Sequence, residues 1–115
     1  YDHNPNGGDG VTAFVLDTGV SISHKEFEGR ATWGSNIIAG TPDIDENGHG
    51  THCAGTITGK TYGVSKKANI VAIKVLNAGG AGTMSDVIAG IDYAVKQHQS
   101  LKEKLGDKHK GSVAN

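Results

Sequence analysis

Only one cysteine, Cys53, occurs in the 115 residues, so no internal disulfide can form and cysteine usage is silent on redox compartment. No apolar run approaches the length needed to span a bilayer, and no signal-peptide pattern opens the chain. Neither sign of charge dominates: 11 Lys and Arg stand against 12 Asp and Glu, a formal net charge of −1. That balance points to no nucleic acid and no membrane as partner. With 36% hydrophobic and 20% charged residues, the composition is not that of a disordered tail either. Internal repeats and long low-complexity linkers are also missing. The length suits one modest domain with its own core. Tyr1 and the DHNPNGGDG after it read as an exposed lead-in, which places any targeting or pro-segment outside these residues.

Glycine is abundant, at 18 residues, and favours tight turns and close backbone approach over a helical bundle. Residues 11–16 (VTAFVL) form a short apolar run between Gly10 and the turn signal DTG, the pattern of a buried strand. Residues 36–39 (NIIA) are a weaker strand ending at Gly40, and TPDIDENGHG is a polar loop. From His49 to Thr58, His49, Cys53 and Ile57 recur every four residues, which predicts a helix against a sheet. Gly50 and Gly55 would each weaken that helix by about 1 kcal/mol. Residues 70–76 (IVAIKVL) give the strongest strand signal. In the helix predicted over 83–98, Met84, Val87, Ile88, Ile91, Ala94, Val95 and His98 share one face, and Thr83 with Asp86 has the form of a capping box. The lysine-rich residues 96–110 read as a solvated helix end and loop, and residues 112–114 begin another strand. Strands alternating with helices imply parallel pairing, hence an α/β layered fold with helices flanking a mostly parallel sheet. Large α/β domains run to roughly 200–250 residues, so such a sheet cut off in its last strand is expected to be incomplete.

Two positions carry chemistry. Asp17 ends the first strand, where functional groups of open α/β sheets gather, although an aspartate in DTG also serves as a simple turn-former. His49 lies in NGHGTHCAG at a helix start, which disfavours added positive charge and should hold the imidazole neutral as a base. A buried carboxylate on its other ring nitrogen would fix the tautomer. His49 and His52 make a poor metal pair, with only Asp17 as a distant third, so no metal is assigned. The triplet Asp17-Thr18-Gly19 also matches dimeric aspartic proteases, but that leaves NGHGTHCAG unexplained and needs a nearly all-β chain. Cys53 as a nucleophile would share one helix with its base, four residues apart, and neither would project at a common carbon. It reads instead as a small buried neighbour.

VLDTG followed 32 residues on by NGHGTHCAG strongly resembles the subtilases, the subtilisin-like serine proteases. Cysteine after HGTH points to the proteinase K branch. HKEFEGRATWG, GKTYGVSKKANIVAIKVL and GTMSDVIAGIDYA look most like the fungal vacuolar proteases of the cerevisin type. The resemblance implies an endopeptidase acting on peptide and protein substrates through an Asp–His–Ser triad and an acyl-enzyme. Asp17 and His49 would be its carboxylate and base. Gly80-Ala81-Gly82 would be the edge strand that pairs with an extended substrate, flanked by Leu76 and Met84 at the side-chain pockets. Cys53 would be the free thiol beneath His49.

Departures from the family pattern matter as much. None of Ser21, Ser23, Ser35, Ser65, Ser85, Ser100 or Ser112 stands in a GTSMA-type context, and Asn115 is not the oxyanion donor. Residues 1–115 are therefore expected to be the N-terminal part of such a peptidase domain, inactive alone. Thr12 replaces a disulfide cysteine of proteinase K, and the short loop from Gly59 to Gly63 lacks the insertion that builds one calcium site of bacterial subtilisins. No cofactor is assigned to these residues, and calcium in the intact enzyme is left open. The resemblance further implies a pro-segment as inhibitor and a vacuolar or secreted location in a fungus. Several fungal vacuolar proteases of this group are allergens, so antibody (IgE) binding is a second reading, with residues 96–110 as the epitope.

Overall fold

The computed structural model describes all 115 residues as a four-stranded parallel sheet with one helix against each face. In chain order the elements are β1 (Val11–Asp17), β2 (Ala31–Asn36), α1 (His49–Thr58), β3 (Asn69–Lys74), α2 (Met84–Leu105) and β4 (Gly111–Ala114). Short 3-10 turns occupy Lys25–Phe27 and Gly106–Lys108. The strand order is β2-β3-β1-β4, with Leu16 opposite Ile73 and Asp17 opposite Lys74. The α/β class with a parallel sheet is therefore as the sequence implies, and it removes the aspartic-protease reading, which requires an all-β chain.

Strand alternation assigns each helix its face. Ala13 and Val15 of β1 join Val20, Phe27, Ala31, Ala54, Ile70 and Ala72 in a buried cluster beneath α1. Phe14 points the other way and joins Ile73, Val75 and Ala94 beneath α2, with Leu16, Val87, Tyr93 and Leu101 packed around them.

Three expectations change. The strand near residue 36 lies earlier, at Ala31–Asn36, and Ile37–Gly40 turns away. Gly34 interrupts the apolar pattern there because a Cβ would stand 2.6 Å from Val71 Cγ1, and Tyr93 donates its hydroxyl to the Gly34 carbonyl at 3.1 Å. Second, α2 continues through the lysine-rich stretch to Leu105. Thr83 caps its start, accepting from the Asp86 amide at 3.1 Å, and Lys102 and Lys104 sit in its last turn, where the helix dipole favours cations. Third, its apolar stripe is divided. Gly90 and Ala94 are buried and Val87 is half-buried, whereas Met84, Ile88, Ile91 and Val95 are exposed.

Candidate active site

The carboxyl ends of β1 and β3 and the first turn of α1 meet at one point. Asp17 closes β1 with its side chain only 8% exposed, and its carbonyl accepts from the Val75 and Leu76 amides at 2.9 and 3.2 Å. The Thr18 amide donates to Asp17 Oδ1 at 2.7 Å. Helix α1 reaches the strand end through glycine: a Cβ on Gly50 would stand 2.0 Å from the Gly19 carbonyl oxygen and 3.2 Å from Asp17 Cβ. The bare backbone at Gly50 thus seats the preceding residue, His49, over Asp17.

The His49 Nδ1 lies 2.9 and 2.8 Å from the two Asp17 carboxylate oxygens. A carboxylate only accepts, so Nδ1 carries the hydrogen and Nε2 holds the lone pair of the neutral ring. The imidazole is 64% exposed, and its Nε2 has only Cys53 Sγ nearby, at 4.0 Å. The hydrogen bond that His49 donates to Asp17, then the Asp17 charge, then the charge of Asp45 raise the His49 pKa above its ordinary value of 6.5. The helix N-terminus was expected to hold this ring neutral. The two carboxylates outweigh it, so the arrangement favours the imidazolium once formed.

The start of α1 is capped from outside. Gly48, in the left-handed region at φ 101°, has no side chain to offer the first turn. Its three free amides find acceptors elsewhere: His49 N on Asn47 Oδ1 at 3.1 Å, Gly50 N on Thr18 Oγ1 at 3.0 Å and Thr51 N on Asp45 Oδ2 at 3.0 Å. Asn47 Nδ2 also donates to the Ala78 carbonyl at 2.9 Å, joining this loop to the turn before Gly80. Beneath the loop, fully buried Lys74 gives Nζ to Glu46 Oε1 at 2.7 Å and to the Pro42 and Ile44 carbonyls, each at 3.1 Å. Sequence reasoning missed Thr18, Asp45, Asn47 and Lys74. The one signal for them was polar residues crowding a loop directly before a histidine-bearing helix.

The other residues singled out from sequence fall as follows. Cys53 is a free, half-buried thiol with Sγ 3.8 Å from His49 Nδ1. Burial and the nearby Asp17 charge push its pKa up, so the nucleophilic thiolate is disfavoured. His52 points away, into a shallow depression with His24, Glu26 and Tyr62. Ligand atoms of Asp17, His49 and Cys53 do approach within 4.8 Å of one another, a set that the pairing of His49 with His52 did not anticipate. Gly80, Ala81 and Gly82 are exposed and lie outside the sheet, following a turn in which Asn77 Oδ1 accepts from the Gly79 and Ala81 amides at 3.0 and 3.1 Å. Gly82 passes so close to the residues leaving β3 that a Cβ would stand 2.4 Å from the Val75 carbonyl oxygen and 2.8 Å from Leu76 Cδ2. Leu76 is half-buried against the α2-side core, and Met84 is 77% exposed.

The subtilase family model matches residues 8–102, and the chain belongs to that family. Among its relatives, the subtilisin-like proteinase Spm1 of Pyricularia oryzae is 56% identical over 119 residues, covering 100% of this chain and 22% of the relative. Cerevisin of Saccharomyces cerevisiae is 55% identical over 115 residues, covering 100% and 18%. The subtilisin-like serine protease Pen ch 18 of Penicillium rubens is 54% identical, covering 100% and 23%. The crystal structure of a cold adapted subtilisin-like serine proteinase matches with a TM-score of 0.71 at 47% identity, over 83% of this chain and 36% of that one. The chain spans about a fifth of the length of the curated relatives it matches.

Proposed function

We propose that residues 1–115 are the N-terminal part of a subtilisin-like serine endopeptidase domain, in which Asp17 and His49 are the carboxylate and base of an Asp–His–Ser triad. The observation that carries this is the pair itself: both Asp17 oxygens lie on His49 Nδ1, leaving Nε2 open at the carboxyl ends of the strands. In that geometry Nε2 takes the proton of a serine hydroxyl as its oxygen attacks a peptide carbonyl. It then returns the proton to the departing amine, leaving an acyl-enzyme for water to hydrolyse. Asp17 fixes the tautomer and stabilises the imidazolium between those steps.

No serine of this chain hydrogen-bonds to His49, and the exposed apolar residues of α2 and β4 suit a surface covered by further chain. The nucleophile and oxyanion donors belong, on this reading, to that further chain. Peptide and protein substrates follow from the chemistry. Gly80-Ala81-Gly82 is the segment that would pair with an extended substrate backbone, with Leu76 and Met84 beside the pockets, and a bulky reagent on Cys53 would displace His49. The proton transfers draw on the Asp17 and His49 side chains, and an inhibitory pro-segment belongs, on this reading, outside residues 1–115. The fungal sources of the relatives support a fungal protease, and the resemblance to the cerevisin type carries the vacuolar or secreted location. The test is peptide hydrolysis by the complete enzyme with His49 intact and replaced. The 115-residue chain alone should resist serine-directed covalent labelling; stoichiometric labelling of it would sink this division of the triad.

Antibody (IgE) binding is a second reading, favoured by one observation: Lys96, Lys102, Lys104, Lys108 and Lys110 are all exposed. Serum antibody binding that survives their replacement by alanine would remove this stretch as the epitope.

A further inference from the structure

A carboxylate outside the catalytic pair holds that pair together. Asp45 Oδ1 accepts from Thr18 Oγ1 at 2.7 Å, from the Asn47 amide at 3.1 Å and from the Gly48 amide at 2.8 Å. Its Oδ2 accepts from the Thr51 amide at 3.0 Å and from Thr51 Oγ1 at 2.5 Å. These partners lie on both sides of the pair. Thr18 directly follows Asp17, and its hydroxyl oxygen accepts from the Gly50 amide, which directly follows His49. Thr51 Oγ1 in turn accepts from the Ser21 amide, so the segment leaving β1 is tied to the first turn of α1 a second time. The loop that carries Asp45 rests on the ion pair of buried Lys74 with Glu46 at the surface. Asp45 itself makes no hydrogen bond to Asp17 or His49.

We propose that Asp45 is a positioning residue for the triad: its carboxylate locks the end of β1 to the start of α1 and so fixes His49 on Asp17. This deepens, and rests on, the endopeptidase reading. Five hydrogen bonds converge on one carboxylate, and no neutral isostere reproduces them. An amide in its place puts an NH2 against N–H and O–H donors on one side, whichever way it is turned. Although burial opposes ionisation, bonds from Thr51, Gly48 and Thr18 bring the Asp45 pKa down to about 2. It is therefore charged throughout the range in which an imidazole titrates. The titratable groups facing His49 are Asp17 from β1, Cys53 from α1 and Asp45 from the loop, with the Lys74–Glu46 pair below.

The experiment compares the complete enzyme with its Asp45→Asn variant by two readouts: steady-state kinetics on a peptide substrate, and NMR titration of the His49 ring protons. The expected result is a fall in kcat of about tenfold to a hundredfold, the scale of a misplaced catalytic group, with KM within about twofold. The His49 midpoint should move to lower pH, and the Nδ1 proton, held on Asp17 in the wild type, should exchange faster with solvent, which loss of the Asp45 charge alone would not cause. A folded variant with wild-type kcat and an unmoved midpoint overturns the proposal, and so does a fall in kcat with the midpoint unmoved. If Asp45→Asn does not fold, Thr51→Val removes the hydroxyl that donates to Asp45 and accepts from the Ser21 amide, and leaves the carboxylate in place. It should then lower kcat by about threefold to tenfold at unchanged KM, and wild-type kcat there overturns the proposal as well. Should the wild-type enzyme prove not to hydrolyse peptides, the endopeptidase reading fails, while the His49 titration still decides the role of Asp45.

Discussion

The two faces of the sheet are finished to different degrees. Beneath α1 the core is closed: eight buried residues interlock, and the polar groups at its mouth, Asp17, Thr18, Asp45 and Lys74, all have partners. Beneath α2 the buried side chains are only those of Phe14, Ile73, Val75 and Ala94, while Ile88, Ile91, Val95 and Val113 remain exposed. Strand β4 pairs only with β1 and leaves its other edge free. The contrast teaches that the Asp–His half of the site is built from local contacts of this segment. The α2–β4 side, by contrast, has the surface of an interface, which is where the proposed remainder of the domain would pack.

The sharpest break in that comparison comes at the pair. Asp17→Asn in the complete enzyme should lower kcat by about 10⁴-fold, because the amide no longer enforces the tautomer that leaves Nε2 as a base. The sign of its pH effect follows from the raised pKa of His49. The wild type loses activity as pH falls through that raised value, since the imidazolium cannot accept a proton. Removing the Asp17 charge lowers the value, so the acid limb of the kcat profile should move to lower pH. A limb that stays in place would contradict the assignment of His49 as the titrating base.

Next in size is the closed core. Phe27 is 1% exposed at the centre of the α1-side cluster, and Phe27→Ala should cost about 3–5 kcal/mol in denaturant unfolding of the complete enzyme. The two glycines of α1 then separate close approach from propensity. Gly50→Ala collides with the Gly19 carbonyl and should destabilise by about 1–3 kcal/mol while lowering activity. Gly55 has open space around its missing Cβ, so Gly55→Ala should stabilise by about 0.5–1 kcal/mol through helix propensity and leave activity unchanged. The smallest effect belongs to the open side. Ile91, 50% exposed, should accept lysine within about 0.5 kcal/mol in the isolated segment. The same substitution in the complete enzyme should cost more, because covering chain would then desolvate the charge. Equal effects in both settings would argue that nothing covers α2.

What the sequence could show follows from the range of the forces involved. VTAFVL, IVAIKVL and the Thr83 cap are local patterns, and each lies where local pattern places it, except that Val75 and Leu76 follow the end of β3. The helix at His49 was legible from four-residue spacing even though Gly50 and Gly55 oppose it, because Gly50 is there for contact with the Gly19 carbonyl. Strand β2 was misplaced because ATWGSN alternates poorly, and Gly34 answers to Val71 and Tyr93, far away in sequence. The split stripe of α2 depends on how the helix rolls against β3, which periodicity does not specify. Asp17 and His49 were legible only together, as paired motifs. Asp45 was not, since its role arises when a loop folds back between Thr18 and Thr51. Lys74 sits in an apolar run with no mark that its ammonium is wholly buried.

The central claim, that this segment supplies the base of a serine endopeptidase, is tested most directly by serine-directed covalent labelling of the complete enzyme and its His49→Ala variant. Stoichiometric labelling of the wild type on one serine outside residues 1–115 is expected. The folded variant should lose about 10⁶-fold in labelling rate, the scale on which losing the base disables such a triad. Labelling of His49→Ala at the wild-type rate, or of a serine within residues 1–115, would contradict that claim.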